Sequence, residues 1–364
     1  MNIRKKIAFF IHHIELINHW HNIFSYLDKN KYDVIIAEDS EPLLEYLKEE
    51  KINYISLDEI LKKKIVYQYL ISNHFVRKTS KRVCLIQKIA IYNIRYLYAL
   101  GKSKWNFAKW NRFYDMILCM GPHQVSKLQF CKKTIKKEIG YSRYDNFFNN
   151  QPNKDSILKK LHCNINKKTI IWLPTWGEIC SIPTFYKSIS SLMKKYNVVV
   201  KPHPSSLQHE KEKIKLLDDC HFTCVIKKNF DNLFLYTIAD FVICDYGGPP
   251  FGAIYTDKNL LLLNSDNKTL KNYQYLEPDS PDIEIRKYIL NISAKDISLL
   301  SNLIENTSFW GEQKKIRSDL RKKYFSQNYG NSTETFAKIL SSLDQYFPRS
   351  NWKLLKFKLK NILK

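Results

Sequence analysis

The chain has 364 residues, 44% of them hydrophobic and 26% charged, with a formal net charge of +24. Such a length allows about two domains of roughly 150 residues each, and the composition excludes a disordered chain. No apolar run approaches the roughly 18–20 residues that cross a bilayer, and the opening MNIRKKIAFFIHHIELINHW lacks the small-residue cleavage site of a signal peptide. It reads as a first strand of a cytoplasmic protein. The basic excess predicts attraction to nucleic acid, anionic lipid or phosphate-bearing substrates. A Lys-, Asn- and Ile-rich, Gly-poor composition accounts for part of that excess without any function. The eight cysteines, at 84, 119, 131, 163, 180, 220, 224 and 244, form no CxxC pair. Cys220 and Cys224 beside His221 make only a weak zinc half-site, so neither a metal nor a disulfide framework is expected.

In chain order, Ile7–Ile11 predicts a strand, Asn18–Leu27 a helix, Asp33–Ala37 a strand, Glu41–Glu50 a helix and Ile52–Ile55 a strand. Leu57–Val76 reads as mostly helical, Arg82–Gln87 as the fourth strand and Asp115–Met120 as a further one. Residues 92–112 interleave Tyr92, Tyr96, Tyr98, Trp105, Phe107 and Trp110 with bases. That mixture suits single-stranded nucleic acid, but at helical spacing core packing is the stronger reading. An Asn-rich, polar connection follows. A second alternating set comprises Thr169–Leu173, Asn197–Lys201, Phe222–Ile226, Phe241–Cys244 and Leu260–Leu263, and helical segments around 295–306, 312–326 and 332–346 close it. Alternation of strand and helix predicts parallel sheets covered on both faces, hence two α/β, Rossmann-like domains facing across a cleft. The end, RSNWKLLKFKLKNILK, carries six basic residues and no acidic one, with Trp352, Leu355, Leu359 and Leu363 on one helical face. It fits an interfacial helix on an anionic membrane surface.

Three strands of the second set run into polar clusters: Pro174-Thr175-Trp176-Gly177, Pro202-His203-Pro204-Ser205 and Asp245-Tyr246-Gly247-Gly248. In a parallel sheet these share the carboxyl edge, where ligands bind and Gly-containing turns let backbone N–H groups reach a phosphate. Gripped between prolines, the His203 imidazole has little freedom and can neutralise charge on a leaving phosphate.

With these residues on view, Trp172-Leu-Pro-Thr-Trp-Gly177, Lys201-Pro-His-Pro204 and Ala239-Asp-Phe-Val-Ile-Cys-Asp-Tyr246 resemble motifs of the CDP-glycerol glycerophosphotransferases, which build teichoic acids and have relatives in capsule synthesis. Gly140-Tyr-Ser-Arg-Tyr-Asp145 is similar to that family's Gly-x-Pro-Arg-x-Asp, and Gly330-Asn-Ser-Thr-Glu334 to its Gly-x-x-Ser-Glu. The resemblance implies a GT-B fold: an acceptor-side domain over 1–140, a linker over 141–168, a donor-nucleotide domain over 169–346 and the basic tail over 347–364. It implies transfer of glycerol phosphate, or a related polyol phosphate, from a CDP-alcohol to a glycan or lipid-linked acceptor, with release of CMP. No cofactor or nucleic acid is called for, and no Asp-x-Asp triplet supports a metal. By motif, His203 is the catalytic contact to the pyrophosphate. Pro174, Thr175, Trp176, Lys201, Asp245, Gly247, Gly248, Arg143, Ser332 and Glu334 are the expected substrate contacts.

Three departures stand out. The family's Trp-His-Gly segment, expected after the fourth strand, is Gln87-Lys88-Ile89 here, without the histidine that serves as presumed base. Asp245-Tyr-Gly-Gly248 replaces Asp-Tyr-Ser-Ser, and Gly252 stands where an aspartate is usual. The base is therefore expected from the cluster His12, His13, His19 and His21, with His12 and His13 foremost because they follow the first strand. A nucleotide-sugar glycosyltransferase of GT-B type and a non-catalytic scaffold are the rival readings; a nucleic-acid binder ranks below both.

Overall fold

The computed structural model describes residues 2–3, 7–37, 40–73, 85–101, 103–266, 269–270, 276–347, 353–355 and 357. The chain forms two compact units. The first comprises Met1–Tyr98, Phe107–Asp145 and Ser326–Lys364, and the second Ala99–Asn106 and Asn146–Phe325.

The first unit is built on β1 (Asn2–Ile3), β2 (Ile7–Ile11), β3 (Tyr32–Ile36), β4 (Tyr54–Ser56), β5 (Ile65–Ser72), β6 (Ala90–Tyr96), β7 (Met116–Cys119) and β8 (Ile135–Glu138). They pair in parallel in the order β4-β3-β2-β5-β6-β7-β8, with β1 beside β5. The second unit contains β9 (Thr169–Leu173), β10 (Asn197–Val200), β11 (Cys224–Val225), β12 (Phe241–Cys244), β13 (Asn259–Leu263) and β14 (Asn291–Ile292), also parallel. Their order, β11-β10-β9-β12-β13-β14, is that of a doubly wound nucleotide-binding sheet. Parallel pairs need crossovers, which bury both faces and make strands such as Phe241-Val-Ile-Cys244 continuously apolar and fully buried.

Several expected elements change. The Leu57–Val76 helix stops at Lys62, because Lys64 turns left-handed (φ 50°) and the β-branched, aromatic run Ile65–Ser72 joins the sheet as β5. Residues 74–84, with Cys84, lie outside the described residues. Of the expected strand Arg82–Gln87, what is described forms a helical turn, Ile86–Ile89, and the strand is β6. Tyr92 and Tyr96 are thus strand residues, packed on Tyr69 and Phe347 and on Trp20 and Phe336 respectively. Between 141 and 168, the proposed linker, the chain is largely folded, with helices Asp145–Asn149 and Lys154–Lys160.

The largest shift concerns the helices Ser332–Ser341 and Leu343–Tyr346, read from sequence as part of the second domain. Phe336, Ile339, Leu340, Leu343 and Phe347 enter the first unit's core beside Trp20 and Tyr96. Sequence distance hides this, because the apolar stripe of a helix does not say which sheet it covers. Phe336 is fully buried, with its ring 5.6 Å from Tyr96 and 6.2 Å from Trp20. Phe336→Ala is expected to destabilise the first unit by about 3–5 kcal/mol, measured by denaturant unfolding. A loss confined to the second unit's transition would contradict this packing.

Candidate active site

In the second sheet, chain order reverses between β9 and β12, which defines the topological switch point where open α/β sheets bind ligands. The turns after these two strands are fastened by one group. Asp245 is fully buried, and its Oδ1 accepts the N–H of Thr175 at 2.8 Å and of Tyr246 at 2.7 Å while Oδ2 accepts that of Ser181 at 2.9 Å. Burial raises its pKa, and the backbone donors pull it back. Asp245, expected as a substrate contact, is enclosed and holds together the turns after β9 and β12.

Gly247 adopts φ 96° and donates its N–H to Asp282 Oδ1 at 2.7 Å. That N–H, expected to meet phosphate, is engaged within the fold. Around Gly248, by contrast, a Cβ would meet nothing within 4 Å. Asp282 is fully buried and also accepts from Ser280 Oγ at 3.2 Å. Arg286 lies over the Tyr246 ring at 3.8 Å and donates to the carbonyls of Asp245, Leu263 and Asp282. Sequence reasoning missed Asp282 and Arg286. Ser280-Pro281-Asp282 signals a helix start, but nothing local to it points at the glycine turn.

His203 is the N-cap of the helix Pro204–His209, and its Nδ1 accepts the Ser205 N–H at 3.1 Å. In the neutral ring the proton is therefore on Nε2. Half-exposed Trp176 stacks near the imidazole at 5.9 Å. Lys201 Nζ reaches Asn232 Oδ1 at 2.8 Å. Pro174 and Thr175 are buried, so Trp176 is the exposed member of its turn. Glu210 ties that turn down, accepting from Gly177 N at 3.0 Å, Ser206 Oγ at 2.6 Å and Lys213 Nζ at 2.6 Å. Burial opposes its ionisation, but these donors outweigh burial and hold its carboxyl below the usual range.

In the first unit, His12 and His13 follow β2, at the carboxyl edge. His12 is half-buried and stacks on Phe10 at 6.2 Å; His13 is exposed. His19 is buried between Tyr98 (4.7 Å) and Tyr141 (6.3 Å), with Nε2 3.3 Å from Arg143 Nη1. His21 is exposed and bonds Tyr46 Oη at 3.0 Å. Ser332 and Glu334, expected on the nucleotide side of the second domain, belong to the first unit. Ser332 is fully buried, its N–H on Asp145 Oδ1 at 3.2 Å, and Glu334 pairs with Lys338 at 2.7 Å on an exposed face. The fourth main strand is β5, after which the sequence reads Asn73-His74, with His74 outside the described residues; the segment after the fifth, β6, is Leu97-Tyr98-Ala99-Leu100-Gly101 and has no histidine. Among the described residues, no group of three or more His, Cys, Asp or Glu side chains is arranged to hold a metal ion.

Two parallel sheets covered by helices make this an α/β protein with the fold of the GT-B type. The sequence profile of the CDP-glycerol:poly(glycerophosphate) glycerophosphotransferase family matches residues 98–341, and the chain belongs to that family. A variant of the wall teichoic acid polymerase TagF, soaked with CDPG, shares the fold with a TM-score of 0.67 at 15% identity, covering 96% of this chain and 91% of that one. The Anabaena protein HepE, solved with UDP and glucose, aligns with a TM-score of 0.57 at 11% identity over 93% of this chain and 100% of its own. UDP-GlcNAc 2-epimerase from Neisseria meningitidis, bound to UDP-GlcNAc, gives a TM-score of 0.57 at 13% identity, again over 93% and 100%. No curated protein sequence matches the chain.

The two glycines of the edge differ in what they require. Gly247→Ala is expected to cost about 1–2 kcal/mol for forcing a side chain into positive φ. Gly248→Ser, with open space around it, stays within about 0.5 kcal/mol of the parent. Chemical denaturation separates the two, and equal losses would contradict the backbone assignment.

Proposed function

We propose that this glycerophosphotransferase moves glycerol phosphate, or a related polyol phosphate, from a CDP-alcohol to a glycan or lipid-linked acceptor during assembly of a cell-surface polysaccharide or capsule. The second unit takes the donor nucleotide, and the first takes the acceptor. The acceptor hydroxyl attacks the β-phosphorus in line, the new P–O bond forms as the bond to the bridging oxygen breaks, and CMP leaves. His203 donates from Nε2 to an oxygen of the departing phosphate, and Lys201 adds positive charge. The hydroxyl proton passes to His12 or His13, which follow β2.

The observation that carries this reading is the hydrogen bond from the Ser205 N–H to His203 Nδ1 at 3.1 Å. With Nδ1 so occupied, Nε2 is the donor, on the sheet edge nearest the switch point. Attachment is peripheral, at the inner face of the membrane, through the basic tail. Most of that tail, with Trp352, Leu359 and Leu363, lies outside the described residues; Leu355 is exposed and Phe357 buried. Among the described residues no helix is long and apolar enough to cross a membrane.

The test is thermal stabilisation of the purified chain by CDP-glycerol, CDP-ribitol and UDP-sugars, with His203→Ala alongside. Stabilisation by a CDP-alcohol is expected, together with at least tenfold weaker binding in the variant, about 1.4 kcal/mol. Stabilisation by UDP-sugars alone would transfer the protein to the glycosyltransferase reading. No response to any nucleotide would favour the scaffold.

A further inference from the structure

We propose that His19 is a positioning residue that aims the Arg143 guanidinium at an anionic, phosphodiester-bearing acceptor, and that it does so only as a neutral imidazole. The proposal deepens the acceptor role given above to the first unit and rests on that reading.

The loop carrying Arg143 is held by its backbone from several directions. Gly140 has φ 82°, and a Cβ there would collide with Ser332 Oγ and Asn328 Oδ1. Asn22 Nδ2 donates to Ser142 O at 2.6 Å, and Tyr96 Oη meets Ser142 Oγ at 2.9 Å. Asp145 accepts the N–H groups of Ser332 and Thr333 at 3.2 and 2.5 Å. With the loop fixed, what sets the direction of the half-buried Arg143 is its side chain.

That side chain meets His19. The imidazole sits in an aromatic slot: Tyr141 is nearly parallel to it at 10° and Tyr98 is tilted against it at 4.7 Å. Fixed in this way, the ring presents Nε2 to Arg143 Nη1 at 3.3 Å. A guanidinium has five donors and no acceptor, so the contact requires a lone pair on Nε2 and the proton on Nδ1. An imidazolium has no lone pair and would repel the cation. Holding Arg143 in place is therefore conditional on an uncharged His19.

Several ionisable groups surround His19. Arg143, Tyr98 and Tyr141 face the ring. Tyr144 and Asp145 continue the same turn, and Asp145 is committed to the helix beginning at Ser332. On that helix Glu334 and Lys338 pair with each other. On the His19 helix itself, His21 bonds Tyr46, and Glu15 lies in the preceding turn. The slot lies at the carboxyl edge of the first sheet, since His19 follows β2, Tyr98 follows β6 and Arg143 follows β8. That is the edge at which a parallel sheet takes ligands.

The test is equilibrium binding of glycerophosphoglycerol to the full chain by calorimetry, with no donor present. This phosphodiester keeps one charge throughout the pH range used. At pH 7.5, His19→Ala and Arg143→Ala are each expected to weaken binding about tenfold, and the double variant to bind no worse than Arg143→Ala. His19→Gln, whose Oε1 accepts from the guanidinium without titrating, should bind like the parent. Lowering the pH to about 5.5, through the range where imidazole ordinarily titrates, should weaken the parent about tenfold and leave His19→Gln unchanged. No binding by the parent, additive losses, or a parent-like pH dependence in His19→Gln would overturn the proposal. Should His19→Ala fail to fold, the pH comparison with His19→Gln still decides it. Because CDP-glycerol is absent from the experiment, loss of the donor reading leaves the result interpretable.

Discussion

The second unit depends on one buried carboxylate. Asp245 gathers the N–H groups of Thr175, Ser181 and Tyr246, donors from the turn after β9, the start of the next helix and the turn after β12. Each turn would otherwise bring unsatisfied backbone donors into a dry interior, at a cost of about 1–3 kcal/mol apiece. With its oxygens taken up by these donors, the Asp245 carboxyl group closes the switch point and leaves Trp176, His203 and Gly248 at its rim. Glu210 repeats the device on the outer side, fixing Gly177 to the helix after His203. The rim is thus preorganised by groups that the substrate need not touch.

Much of this was legible in the sequence, for identifiable reasons. Strands β9, β10, β12 and β13 are short apolar runs bounded by turn residues, and their polar continuations appear at the same edge because the sheet is parallel. Family motifs led correctly to a glycerophosphotransferase and its α/β architecture. The sequence did not show which of the motif residues are enclosed, since burial is invisible in a motif. Asp245 and Ser332 read as contacts and are enclosed; Glu334 reads as one and pairs with Lys338. Asp282 and Arg286 lie far along the chain from Gly247 and Tyr246, and only the fold brings them together.

Topology caused the other errors. A lysine-rich stretch before β5 continued the helical pattern until a left-handed Lys64 broke it, which displaced the expected fourth strand and with it the expected place of the Trp-His-Gly segment. The segment after β6, Leu97–Gly101, has no histidine, whereas the sequence after β5 reads Asn73-His74. The helices after residue 332 return to the first unit because their apolar stripe completes the face carrying Trp20, Tyr96 and Phe347. This return also brings the Gly330–Glu334 segment to the Gly140–Asp145 loop, so two motifs 190 positions apart in the chain form one clasp.

The central claim is that the chain transfers a phosphoryl-linked alcohol, breaking the pyrophosphate of its donor. The most direct measurement follows CDP-glycerol labelled at the β-phosphorus during incubation with a glycerophosphate polymer acceptor. The account predicts that the label enters the polymer while unlabelled CMP is released in equal amount. Label retained in CDP, with only the alcohol transferred, would contradict it.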